Sequence, residues 1–196
     1  MQPEIDSLLD YWFGPLDERG LCLETRNPLW FQRRQDTDDF CRENYETLLE
    51  RARRGELDDW QDTDRGLVAL VVLMDQFSRN IHRDTPGAFA ADAAALRVAQ
   101  QAIDEGRDLR LPAVHRAFLY MPLEHSEDIA VQVQCVERFG QLADEVPDEQ
   151  ITSFARYAQA HYDVIARFGR FPHRNAILGR KSTPEELAYL QKHGGF

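Results

Sequence analysis

The chain has 196 residues, a formal net charge of −11 and 43% hydrophobic side chains. That length fits one domain with a substantial core, and the composition matches neither a disordered nor a collagen-like chain. The acidic balance excludes nonspecific nucleic-acid binding, which needs many phosphate contacts, and anionic membrane surfaces as partners.

Cys22, Cys41 and Cys135 are odd in number and form no CxxC, so neither a disulfide framework nor a zinc knot is expected. Cys135 lies in an apolar helical pattern and is expected in the core. The opening MQPEIDSLLDYWF carries acids and no basic n-region, unlike a signal peptide. The longest apolar run, LVALVVLM at 67–74, is too short to cross a bilayer. The expected location is the cytoplasm. Of the 23 basic residues only Lys181 and Lys192 are lysine, so abundant arginine says little by itself.

Helical periodicity runs through almost every segment, and none alternates as a strand does. Pro3–Phe13 is amphipathic and stops at Gly14-Pro15, a C-cap glycine and a breaker. Residues 15–35 read as irregular, with Trp30 and Phe31 as anchors on the core. Thr37–Arg54 is a helix closed by Gly55, with Phe40, Tyr45, Leu48 and Leu49 on its apolar side. Asp62, Thr63 and Asp64 can cap a helix to about Asn80, apolar all round over 67–74 and so central. Thr85 and Pro86 fit the N-cap and first position of an Ala-rich helix ending at Gly106. Pro112 opens the next, which Pro122 kinks or ends. Ser126 is read as the cap for 127–145, and Pro147-Asp148 starts a long helix to Phe168. Thr183-Pro184-Glu185-Glu186 is a capping box opening 184–192.

Three polar constellations stand out. In MDQFSRNIHRDTP, Asp75 and Arg79 lie four apart at the end of an apolar helix, followed by Asn80 and His82. An ordinary intrahelical ion pair would explain the first two; a central helix must otherwise bury and pair that end or line a cavity with it. In HRAFLYMPLEHSED, Arg116, Tyr120 and Glu124 share one face over two turns, with His125 and Ser126 at the break. A Glu beside a His can act as general base, or Glu124 can simply pair with Arg116.

The third, RFGRFPHRNAILGRKST, holds Arg167, Arg170, His173, Arg174, Arg180 and Lys181 and no carboxylate. His161 lies upstream on the same helix as Arg167, and Asn175 adds a further donor. Guanidinium forks bind planar anions, so this stretch reads as one wall of an anion site or as partners for the chain's many acids. It lacks the GxxxxGK[ST] spacing of a P-loop. With no HExxH, no HxH and no His pair at i,i+4, no metal is expected; no GxSxG or activated Cys marks a nucleophile, and no cofactor is indicated.

At these segments the chain resembles a known family. DQFSRNIHRDTPGAFAADAAAL, FLYMPLEHSED and HYDVIARFGRFPHRNAILGRKSTPEELAYL, with the YWFG and NPLWF elements, are similar to the signature blocks of the bacterial domain of unknown function 924. Ser78 stands where such proteins often have Pro. The resemblance implies an all-helical, tetratricopeptide-like architecture and carries no established activity.

The expected fold is all-α: about eight or nine helices in antiparallel pairs, a tetratricopeptide-like right-handed array closed into one domain over 1–196. The segments 75–82, 116–126 and 161–180 are expected to converge on one cleft. The leading functional expectation is a small anionic ligand, carboxylate or phosphate, bound by Asp75, Arg79, Asn80, Arg116, Tyr120, Arg167, Arg170, His173, Arg174, Asn175 and Arg180. Glu124, His125 and His161 are the candidate acid/base residues for hydrolysis or proton transfer. Two other readings stand beside it: a scaffold clamping an acidic peptide or protein, and a purely structural buried ion network.

Overall fold

Helix-stop chemistry sets most element boundaries. The computed structural model describes residues 2–195, so the two end residues of the expected 1–196 unit lie outside it. Its helices are α1 Gln2–Phe13, α2 Asn27–Phe31, α3 Gln35–Arg53, α4 Asp64–Val72, α5 Ser78–Ile81, α6 Asp92–Asp104, α7 Ala113–Glu124, α8 Ile129–Glu145, α9 Glu149–Phe168 and α10 Pro184–His193. A π turn, Leu73–Phe77, joins α4 to α5, so these run as one rod and nine helical rods are present among the described residues. No strand occurs among them, and the all-α class holds. No helix is long and apolar enough to cross a membrane.

Gly14 and Gly169 both sit in the left-handed region, at φ 64° and 67°, closing α1 and α9 as glycine C-caps do. Thr63 Oγ1 accepts from the Gly66 amide, and Asp148 from Gln150. The Thr183–Glu186 capping box forms in full.

Every residue of α7 is buried, and it packs on α4, α6, α8 and α9. Together with the wholly buried 67–74 run it makes the centre of the bundle. α8 and α9, joined by three residues, lie along each other as an antiparallel pair. Trp12, Trp30, Phe77 and Phe118 interlock in the core: the Trp30 and Phe118 ring centres are 4.8 Å apart and those of Trp12 and Phe77 5.1 Å. A second, smaller apolar cluster of Val164, Ile165 and Phe171, with Phe168 and Tyr189, sits under the segment after α9.

Local expectations fail at five places, the first within the stretch 15–35 expected to be irregular, where Asn27–Phe31 forms α2. Pro86 opens a 3₁₀ turn, Pro86–Phe89, and the Ala-rich helix starts at Asp92; Thr85 Oγ1 donates back to the His82 carbonyl instead of capping. Pro122 lies inside α7, which runs on to Glu124. The carbonyls at that end are collected by the buried Gln132 side chain, whose Nε2 donates to Glu124 and Ser126 carbonyls at 2.6 and 2.7 Å. The cap of α8 is Asp128, accepting from Ala130 at 2.8 Å, while Ser126 accepts from the Asp128 amide. Trp30 is buried as an anchor, but Phe31 is half exposed and lies against Phe154 and Tyr157.

Candidate functional site

The π turn widens the backbone spiral at Asp75 and drives this carboxylate into the interior, where it is fully buried. Its Oδ1 lies 2.8 Å from His125 Nδ1 and 3.2 Å from Arg79 Nη1, and its Oδ2 accepts from Gln76 at 2.6 Å. Arg79 also donates to the Asp75 carbonyl at 2.7 Å and, in a fork, to Asp92 at 2.9 and 3.0 Å. Asp75 and Arg79 thus form the expected i,i+4 pair, extended into a network by α6 and α7.

Glu124 and His161 complete the buried part. Glu124 Oε1 is 3.4 Å from His161 Nδ1, which also lies 2.8 Å from the Tyr157 carbonyl. A carbonyl only accepts, so Nδ1 carries the proton and Nε2 is the acceptor nitrogen. The ring centres of His125 and His161 are 6.2 Å apart, and Phe171 lies 5.5 Å from His161 and 5.6 Å from His173. Glu124 Oε2 is buried with no hydrogen-bond partner.

Electrostatics divide the two buried carboxyls. Burial raises Asp75, but the Arg79 charge and the His125 hydrogen bond outweigh it and hold the group ionised, well below the usual range, while burial and Arg79 bring His125 itself down. Burial and the Asp75 charge push Glu124 up to about 8, against a smaller opposing effect of Arg79. Burial, then the neighbouring His125, brings His161 down to about 3. Burial and Arg174 bring His173 down to about 4. Glu124 and His161 are therefore both neutral near pH 7, and their approach is not an ion pair.

Arg174 reaches the same cluster from the segment after α9. It is 7% exposed, its guanidinium makes no hydrogen bond among the described residues, its Nε is buried without a partner, and the nearest carboxylate oxygen among them, on Asp92, is 3.7 Å from Nη1. Its guanidinium carbon lies over the rings of Phe89 at 4.7 Å and Phe171 at 4.5 Å. Burial and the Arg79 charge lower it to about 10, so it stays cationic at neutral pH.

The other sequence candidates stand apart. Arg167 pairs with Glu185 at 2.8 Å on the surface. Arg170 and Asn175 both bind the buried Glu186, at 2.7 and 3.3 Å. Arg180 forks onto Glu127 at 2.7 and 2.9 Å, and Glu127 also receives the Phe171 amide at 2.8 Å. Asn80 donates to Asp38, which Arg83 clamps. Arg116 does not meet Glu124: its Nε donates to Tyr120, its fork faces Glu145, and Tyr120 donates to Asp108 at 2.5 Å. The expected single cleft over 116–126 is thus divided, because α7 is surrounded on all sides: Arg116 and Tyr120 meet Glu145 of α8 and Asp108, whereas Glu124 at its far end meets the Asp75 and His161 cluster. His82 lies 3.2 Å from Arg53, away from the cluster.

Concave surfaces of about 390 Å³, under Arg19, Arg110, Arg116 and Glu145, and about 290 Å³, under Tyr11, Arg34 and Phe40, lie elsewhere. No group of three or more His, Cys, Asp or Glu side chains among the described residues is arranged to hold a metal. Residues overlooked in the sequence are Asp92, Glu127, Phe89 and Phe171. Asp92 had a signal, being the one charged residue in AFAADAAAL; Glu127 was masked as part of a helix start.

No curated protein matches the chain. A solved structure, that of a protein of unknown function ATU0120 from Agrobacterium tumefaciens, is similar with a TM-score of 0.81 and 33% identity, over 97% of this chain and 98% of that one. Residues 8–194 match the family described as bacterial protein of unknown function (DUF924), and the chain belongs to that family.

Proposed function

We propose that the Asp75, Arg79, Glu124, His125, His161 and Arg174 cluster is a proton-handling site for a small anionic molecule. The observation that carries this is the unequal setting of two buried carboxyls in one cluster: Asp75 is engaged by His125, Arg79 and Gln76, whereas Glu124 Oε2 has no partner among the described residues, which favours Glu124 as the acid and Asp75 as the carboxylate. Asp75 accepts from His125 Nδ1 and so leaves Nε2 of that ring as the base. Glu124 is the proton donor, and Arg174 supplies charge that its nearest carboxylate among the described residues, Asp92 at 3.7 Å, meets without a hydrogen bond. Hydrolysis and simple proton transfer both suit such a pair.

A structural ion network is favoured by one observation: Arg167, Arg170 and Arg180 are each already engaged by a carboxylate. The same engagement weighs against a groove for acidic peptides. On the reading proposed here, the antiparallel helices, of the tetratricopeptide kind, frame a small-molecule site in a cytoplasmic protein.

The test is thermal unfolding with millimolar acetate, propionate, inorganic phosphate and sulfate, on the wild type and on Arg174→Met. An anion at about a hundred times its Kd should add about 2.7 kcal/mol, a rise of several degrees in Tm. Arg174→Met should remain folded and lose that response. If no anion shifts the wild type, the network is structural and the proposal fails.

A further inference from the structure

We infer that the ligand of this site is a small monocarboxylate, gripped edge-on by the Arg174 guanidinium. The inference rests on the anion-site reading above and names its substrate class.

Donor geometry comes first. Arg174 lies over two phenyl rings, at 4.7 Å from the Phe89 centre and 4.5 Å from that of Phe171. A guanidinium carbon held over rings leaves the N–H groups around it for hydrogen bonds. Among the described residues those groups make none: Nε is buried without a partner, and Nη1 stands 3.7 Å from Asp92. An unused fork in one plane matches the two oxygens of a planar carboxylate, which accept two parallel N–H bonds. A tetrahedral anion with three or four oxygens calls for donors from several directions. Arg79, the other guanidinium of the cluster, has its fork committed to Asp92 and a further bond to the Asp75 carbonyl.

Charge comes second. Arg79 and Arg174 are balanced by Asp75 and Asp92. Glu127 faces Arg180, which neutralises it. Glu124, His161 and His173 are neutral at pH 7. A dianion would bring two uncompensated charges beside two carboxylates in a poorly hydrated place, where such charges are costly. A monoanion brings one.

Size and polarity come third. At the edge of the cluster the Arg79 and Asp92 side chains are 20% and 22% exposed. Phe89, partly exposed beside Arg174, offers aromatic surface to the carbon part of the ligand. A short aliphatic acid of the size of acetate or propionate satisfies all three conditions.

Isothermal titration with propionate, acetate, inorganic phosphate and sulfate separates the possibilities, using wild type, Arg174→Lys and Arg174→Met. The lysine variant keeps the charge and removes the fork. The expected result is binding of a carboxylate to the wild type, weakened about tenfold or more in Arg174→Lys and lost in Arg174→Met, with no heat from phosphate or sulfate. Arg174-dependent binding of phosphate or sulfate without the carboxylates would overturn the inference and leave the anion site standing. Equal carboxylate affinity in Arg174→Lys would also overturn it. No heat from any of the four would sink both this inference and the reading on which it rests.

Discussion

Asp75→Ala should lower the free energy of unfolding by about 3–5 kcal/mol, the cost of removing one partner from a buried charged network. Asp75 is fully buried and is engaged by Arg79, His125 and Gln76. Removing its carboxylate leaves the Gln76 amide and the His125 N–H without their buried acceptor, and Arg79 with Asp92 alone. Urea unfolding should show a lower midpoint with an unchanged slope. A loss below about 1 kcal/mol would mean that the π turn relaxes and that water reaches these groups.

The second large effect is a dependence of stability on pH. Glu124 titrates near 8 in the folded protein and in the ordinary range, about 4.3, when unfolded. Between those values the folded state binds more protons, so stability falls as pH rises. The histidines act in the other direction and lower down. His161 and His173, brought down to about 3 and 4, add stability that is complete above the unfolded histidine value of about 6.5. The Asp75 contribution is complete above the unfolded value of about 3.9. His125 is lowered as well, and the unfolded histidines finish titrating only above pH 6.5, so between pH 6.5 and 8 the Glu124 slope is read as the difference between the wild type and Glu124→Gln, in which the histidine contributions cancel. It amounts to about 1.4 kcal/mol per pH unit at most, or about 2 kcal/mol over that span. The urea midpoint of the wild type should fall relative to that of Glu124→Gln across this window. Parallel curves for the two proteins would show that Glu124 is already ionised at pH 6.5.

Much of the fold is legible because helix ends are written in local chemistry. Gly14, Gly169 and the Thr183–Glu186 box need only their own neighbours to act, and each forms as the sequence indicates. The site is legible only in part. The sequence shows that Asp75 and Arg79 share a helix face, since spacing fixes that. It does not show the π turn, because the 67–74 run leading into it is apolar all round and offers no periodicity from which a widened turn could be detected. Nor does it show which carboxylate each arginine meets. Glu127 is 53 residues from Arg180, and Asp92 is 82 residues from Arg174; only the packing of α6, α8 and α9 around α7 brings them together. The consequence is most plain within RFGRFPHRNAILGRKST itself. Arg167, Arg170 and Arg180 are matched to carboxylates by hydrogen bonds, whereas the guanidinium of Arg174, which looks no different in the sequence, is buried with none among the described residues.

The most direct measurement is a carbon-13 NMR titration of side-chain carboxyls in protein labelled at glutamate, with the Glu124 signal assigned by its loss in Glu124→Gln. The expected result is a protonated Glu124 at neutral pH with a midpoint near 8. A Glu124 midpoint in the ordinary carboxylate range of about 4–5 would contradict the acid assigned to this site.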